Sequence, residues 1–312
     1  DSIVRDAETI RRALLGDVPW TVLGQSFGGF CTVTYLSLAP EGLREAFVTG
    51  GLPGVSAIAD DVYRALYGTV AAKNAAHYGR HPEDVERARA VVRHLRDHEE
   101  RLPNGRPLTV EAFQALGNLL GSGTGSQELH YLLESPFADR AELSDAFLLQ
   151  VDTHLSWASA NPLYSVLHEA TYAQDDRSTS WSAQRVRAEH PEFDAHTAVD
   201  GDAPVLFTGE MIYPWMFTND PLLSSFQDVA HQLANRSPWP RLYDVDRLRA
   251  NTVPVTAAVY ANDMYVDRDL SLHTAHTIRG LRPWVTEDYE HDGLRASNGE
   301  VLDHLLTIAH PD

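Results

Sequence analysis

Cysteine is nearly absent. Cys31 stands alone in 312 residues, so no internal disulfide can form and metal centres built on two or four thiolates are excluded. No apolar run approaches the roughly 18 residues that a membrane-crossing helix needs, so no membrane partner is expected. Positive charge is in deficit as well: 25 Lys+Arg against 44 Asp+Glu give a formal net charge of −19. Such a chain repels phosphate backbones, which argues against a nucleic-acid partner. The acidity reads first as a solvated surface and second as a preference for cationic substrates. No leader of the signal-peptide type is visible, the chain opening on Asp1 rather than Met, and a cytoplasmic location is expected.

What is present is enough chain for about two domains at roughly 100–200 residues each. Ile3, Ala7, Ile10 and Leu14 recur at helical spacing, with Ser2 as N-cap and Gly16 as stop. The short run Trp20–Gly24, bounded by Pro19 and glycine, predicts a buried strand. Gly28-Gly29 then opens a helix through Phe30, Val33 and Leu36 that ends at Pro40. Arg44–Gly50 predicts the next strand. Strand, helix and strand in this order make a βαβ unit, hence an α/β fold with a parallel sheet. From Ile58 the texture turns helical, as in 84–102 and 109–120, with 203–208 as a short strand. Gly121–Ser126 reads as a flexible linker, since no Gly-Lys-Ser/Thr follows its glycines. Strands return at Val253–Ala261 and Trp284–Asp288, with helices at Ser271–Arg279 and Val301–Ile308. The expected division is therefore 1–57 and 243–312 as an α/β core, split by a helical insertion over 58–242.

Gly24-Gln-Ser26-Phe-Gly28 matches G-x-S-x-G, with a strand running in and a helix running out. That context is what a nucleophile elbow requires: a sharp turn lifts Ser26 above the sheet's carboxyl edge, and the glycines remove side chains from it. The helix dipole and the Phe27 backbone N–H favour negative charge beside the serine, as an oxyanion demands. The partners are expected in chain order, acid then histidine. Asp263 falls just past a strand end, with Asp267 as its competitor, and His291 lies in a turn after the next strand. His77/His81 and His94/His98 have i, i+4 spacing, but no third ligand accompanies either pair, so solvated helix faces are expected and no metal or cofactor. Cys31, on the elbow helix, reads as a small buried filler.

The segment Gly24-Gln-Ser-Phe-Gly-Gly-Phe30, with Asp263 and a His291 that follows by 28 residues, resembles the proline iminopeptidases (prolyl aminopeptidases), serine peptidases of the α/β-hydrolase fold. The resemblance extends over essentially the whole chain and is nearest to the family's longer, actinobacterial-type branch. It implies release of N-terminal proline from peptides, and it makes the helical insertion a cap domain. In that family two cap glutamates bind the substrate's free amino terminus. His168-Glu169-Ala-Thr-Tyr172 and Thr208-Gly-Glu210 resemble the segments that supply them, so the resemblance carries this role onto Glu169 and Glu210. Paired carboxylates would hold an ammonium through charge-assisted hydrogen bonds, and Trp215 and Phe217 would suit a flat pyrrolidine ring.

The chain departs from the family in one respect. The elbow serine is residue 26, and no His/Gln-Gly-Gly-Pro-Gly loop, source of the second oxyanion donor, occurs. With the usual sheet order 1-2-4-3-5-6-7-8, only strands 5 to 8 are encoded. The expectation is a missing amino-terminal segment, or a companion chain, that completes the sheet. Two alternative functions stay open: another α/β-hydrolase activity (esterase, amidase or acyltransferase), and a catalytically incomplete fragment. Ser26 at the nucleophile position excludes aspartate-nucleophile dehalogenases and epoxide hydrolases.

Overall fold

The computed structural model describes residues 1–138 and 142–311. They fall into two compact units, Asp1–Ala57 with Pro240–Asp312, and Ile58–Trp239.

The first unit is built on four parallel strands in spatial order: β1 (Trp20–Gln25), β2 (Leu43–Thr49), β3 (Val255–Tyr260) and β4 (Leu281–Thr286). Every residue of β3 is buried, Thr256 included, as its Val/Thr/Ala/Tyr composition and inner position demand. β4 begins three residues before the expected Trp284, and its Pro283 is accommodated because the strand is an edge. β1 is the other edge, paired to β2 alone among the described residues. On one face Val33, Leu36, Val48, Leu248 and Ala257 form the core; Phe47, Ala258, Tyr260, Val301 and Leu305 form a smaller one.

The first helix, α1 (Ser2–Leu15), forms where the periodicity places it, but it buries a different face. Ile3, Ile10 and Leu14 are exposed, whereas Val4, Glu8 and Arg11 are buried. The reason is a polar network. Arg11 donates to both Glu8 oxygens at 2.8 and 2.9 Å and to the Gly16 and Val18 carbonyls, and Tyr35 also donates to Glu8. The Arg11 hydrogen bond, with Tyr35 and Arg12 adding to it, holds the Glu8 carboxyl down to about 2 against the burial that opposes this.

The second unit is helical. Its longest elements are α3 (Ala59–Arg80) and α4 (Asp84–Asp97), followed after two short helices by α5 (Gly125–Leu133); α2 is the elbow helix, Phe27–Leu38. Two expectations fail here for identifiable reasons. Residues 203–208 run extended without a strand partner, because side chains satisfy the backbone: Asn74 bonds both the N–H and the carbonyl of Phe207, and Gln114 donates to Leu206 O. Gly121–Ser126 is no loose linker but a tight turn into α5, where a Cβ on Gly125 would collide with the Leu119 carbonyl. No helix among the described residues is long and apolar enough to cross a membrane.

Candidate active site

β1 delivers Ser26 to the amino end of α2 with φ 54°, a strained backbone for a non-glycine residue and the conformation of a nucleophile elbow. The flanking contacts explain the sequence only in part. A Cβ on Gly24 would collide with the Gly28 carbonyl and Thr32 Oγ1, so glycine is obligatory there. Gly28 has open space around it, and the expectation that both motif glycines relieve crowding holds for Gly24 alone. The Ser26 N–H bonds Thr49 O at 3.0 Å, which ties the elbow to the end of β2.

Ser26, His291 and Asp263 meet in one hydrogen-bonded line. His291 Nε2 lies 2.9 Å from Ser26 Oγ, and His291 Nδ1 lies 2.7 Å from Asp263 Oδ2. Asp263 and His291 are both buried. The other Asp263 oxygen accepts the Tyr265 and Val266 N–H groups at 2.8 and 3.1 Å, so the loop's own backbone orients the carboxylate. Tyr265 packs edge-on against the imidazole, 4.8 Å between centroids. Asp267 is excluded from this line: its Oδ1 accepts Leu270 N at 2.8 Å as the N-cap of helix Arg268–Thr277. Phe27, first residue of α2, presents one of the N–H groups that a helix start leaves without an intrahelical acceptor. Cys31 is half-buried, not buried as expected, and burial raises its thiol above the ordinary range.

In the helical unit, Glu169 is buried. Its Oε2 accepts Ala183 N at 3.1 Å, while its Oε1 has no hydrogen-bond partner. Glu210 is half-buried and accepts the Tyr164 hydroxyl at 2.5 Å. Sequence reasoning missed Tyr63, whose hydroxyl is also buried without a partner; desolvation, and then the Glu169 carboxylate nearby, push it well above its usual range. Nothing in the sequence marks Tyr63, one of three tyrosines on α3, or Tyr164, an aromatic on a short helix. Trp215 stacks on Tyr213 and leaves its buried indole N–H unpartnered. Phe217 is fully buried against Trp181, which makes it a core residue and not a free aromatic wall.

The expectation of solvated histidine faces is corrected for the first pair. His77 is buried, 3.0 Å from Ser126 Oγ, and His81 stacks on His130. In the second pair, His94 lies 2.6 Å from Glu100 and stacks on the exposed His98.

The chain is similar to known proteins. A family model described as the alpha/beta hydrolase fold matches residues 1–294. A proline iminopeptidase of Aeromonas sobria is 46% identical over 308 residues, 99% of this chain and 71% of the relative. One from Aspergillus aculeatus is 34% identical over 316 residues, 99% of this chain and 69% of the relative. Among solved structures, an alpha/beta hydrolase from a deep-sea metagenome library aligns over 99% of this chain and 72% of its own, with a TM-score of 0.39 and 9% identity.

Proposed function

The chain belongs to the proline iminopeptidases of the α/β-hydrolase superfamily, and on that premise we propose that it removes N-terminal proline from peptides with Ser26, His291 and Asp263 as its catalytic triad. The observation that carries the reading is the continuous line Ser26 Oγ–His291 Nε2 and His291 Nδ1–Asp263 Oδ2, at 2.9 and 2.7 Å.

The chemistry follows from those contacts. His291 Nε2 takes the Ser26 hydroxyl proton as Oγ attacks the carbonyl of the terminal proline. Asp263 keeps the proton on Nδ1, holds the ring in the tautomer that can accept at Nε2, and stabilises the imidazolium that forms. Negative charge on the carbonyl oxygen is met by the Phe27 N–H and the positive end of α2. The imidazolium then protonates the departing amine, leaving a prolyl ester on Ser26 Oγ. Water, deprotonated by His291, attacks that ester; Oγ recovers the proton and proline leaves.

Glu169 and Glu210 are assigned the substrate's ammonium. A protonated N-terminal proline offers two N–H donors, and two carboxylates are the matching acceptors. The unpartnered Glu169 Oε1 supports this, because a buried carboxylate oxygen lacking a donor is one that a bound cation completes. A single half-buried thiol is in keeping with a cytoplasmic location. The test is Ser26→Ala: turnover of a prolyl anilide should fall by on the order of 10⁶ in kcat, with fluorophosphonate labelling lost and the circular dichroism unchanged. Labelling that persists would remove Ser26 from the nucleophile role.

A further inference from the structure

We propose that the corner between α3 and α4, together with α5, binds one divalent transition-metal cation, zinc in the first place, through His81, Glu83 and His130. Each of the three offers a ligand atom, and the three atoms lie within 4.8 Å of one another. They come from two separate pieces of chain. His81 caps α3, its N–H on His77 O at 2.9 Å, and the following turn sets Asp84 N on His81 O at 3.1 Å, so His81, Glu83 and Asp84 share one corner. His130 is brought to that corner by α5.

Three observations separate this cluster from a chance meeting of polar side chains. His81 Nε2 is buried and has no hydrogen-bond partner, an arrangement that a buried ring nitrogen does not keep without a reason. The His81 and His130 rings stack 4.0 Å apart and within 15° of parallel, which brings two imidazoles from separate helices to one corner. Asp84, fully buried, accepts from His130 Nδ1 at 2.9 Å, with its other oxygen held by Arg87 at 2.8 Å. A carboxylate on one imidazole nitrogen fixes the tautomer and raises the basicity of the other, the support that ligating histidines characteristically have. That other nitrogen, Nε2, lies 3.9 Å from Glu134 Oε1, at the edge of the three-residue group.

The donor set decides the cation. Two imidazoles with one carboxylate suit zinc, whereas calcium and magnesium select all-oxygen shells. Tetrahedral bonds of 2.0–2.1 Å need donors roughly 3.3 Å apart, a contraction toward which the exposed Glu83 side chain can rotate, with water completing the shell. The same exposure gives the ion its way in. Bound there, it would fasten α5 to the α3–α4 corner, so metal binding and the stability of the helical unit become linked.

The experiment uses the full chain stripped with a chelator. Zinc is titrated against a chromophoric competitor, and cobalt(II) is added in parallel for its visible spectrum. The expected result is one tight equivalent, four-coordinate cobalt bands, and a melting temperature raised by zinc. His81→Ala and, on the exposed side, Glu83→Gln should each weaken binding by at least about tenfold and abolish the thermal shift. His98→Ala, which alters the other histidine pair, should change nothing. Fluorophosphonate labelling of Ser26 reports that each variant is folded. Equal zinc affinity in wild type and Glu83→Gln, loss of binding in His98→Ala, or no binding by the wild type would each overturn the site.

Discussion

The two polar clusters that organise this chain differ in how completely they are bonded. In Ser26–His291–Asp263 each link is closed, and the loop amides of Tyr265 and Val266 secure its far end. Around Glu169 the links are open: Glu169 Oε1 and the Tyr63 hydroxyl nearby are buried without partners. The difference suits two tasks. On the proposed roles, a proton relay is aligned before substrate arrives, whereas an acceptor site for a cation is left short of the donors that the cation brings. An unpaired buried polar group costs about 1–3 kcal/mol, so such openings persist where function uses them.

The largest effect is expected at the closed cluster. Asp263→Asn keeps an oxygen for the Tyr265 and Val266 amides but cannot stabilise the imidazolium. We expect kcat to fall by roughly 10⁴ with KM little changed, measured on a prolyl anilide. Undiminished kcat would return the role to Asp267. The open member is probed by Glu210→Gln, for which kcat/KM on free-amino prolyl substrates should drop at least about tenfold while neutral ester substrates are spared. Equal losses on both would show that Glu210 acts on folding instead of on the ammonium. The smallest effect is expected at the elbow: Gly28→Ala meets open space on a helix and should leave melting temperature and activity nearly unchanged. A marked loss there would mean that the turn is tighter than its contacts indicate.

Much of the closed cluster could be read directly from the sequence, because its signal is local. The G-x-S-x-G turn sits between a β-branched run and a helix, and acid and histidine follow later strand ends, so topology alone brings the three to one edge. The strand end favours Asp263 over Asp267, and the bonding agrees: one carboxylate faces His291, the other caps a helix four residues on. The open cluster left almost no trace. Tyr63 and Tyr164 acquire meaning only when helices far apart in sequence pack, and Glu169 and Glu210 were named through family likeness, not through spacing. The misread face of α1 has the same origin. Periodicity identifies a helix, but which side is covered depends on partners, here Tyr35 and the Glu8–Arg11 pair. His77, buried against Ser126, and the extended run at 203–208, satisfied by Asn74 and Gln114, were likewise decided by side chains distant in sequence.

Aminopeptidase action is tested by comparing kcat/KM for a prolyl anilide with its proline nitrogen free and with that nitrogen acetylated. Acetylation removes the cation and leaves Glu169 and Glu210 with no charge to meet, so the acetylated substrate should be poorer by at least about tenfold. Equal cleavage of the two would contradict the account, and an esterase or amidase on the same triad would take its place.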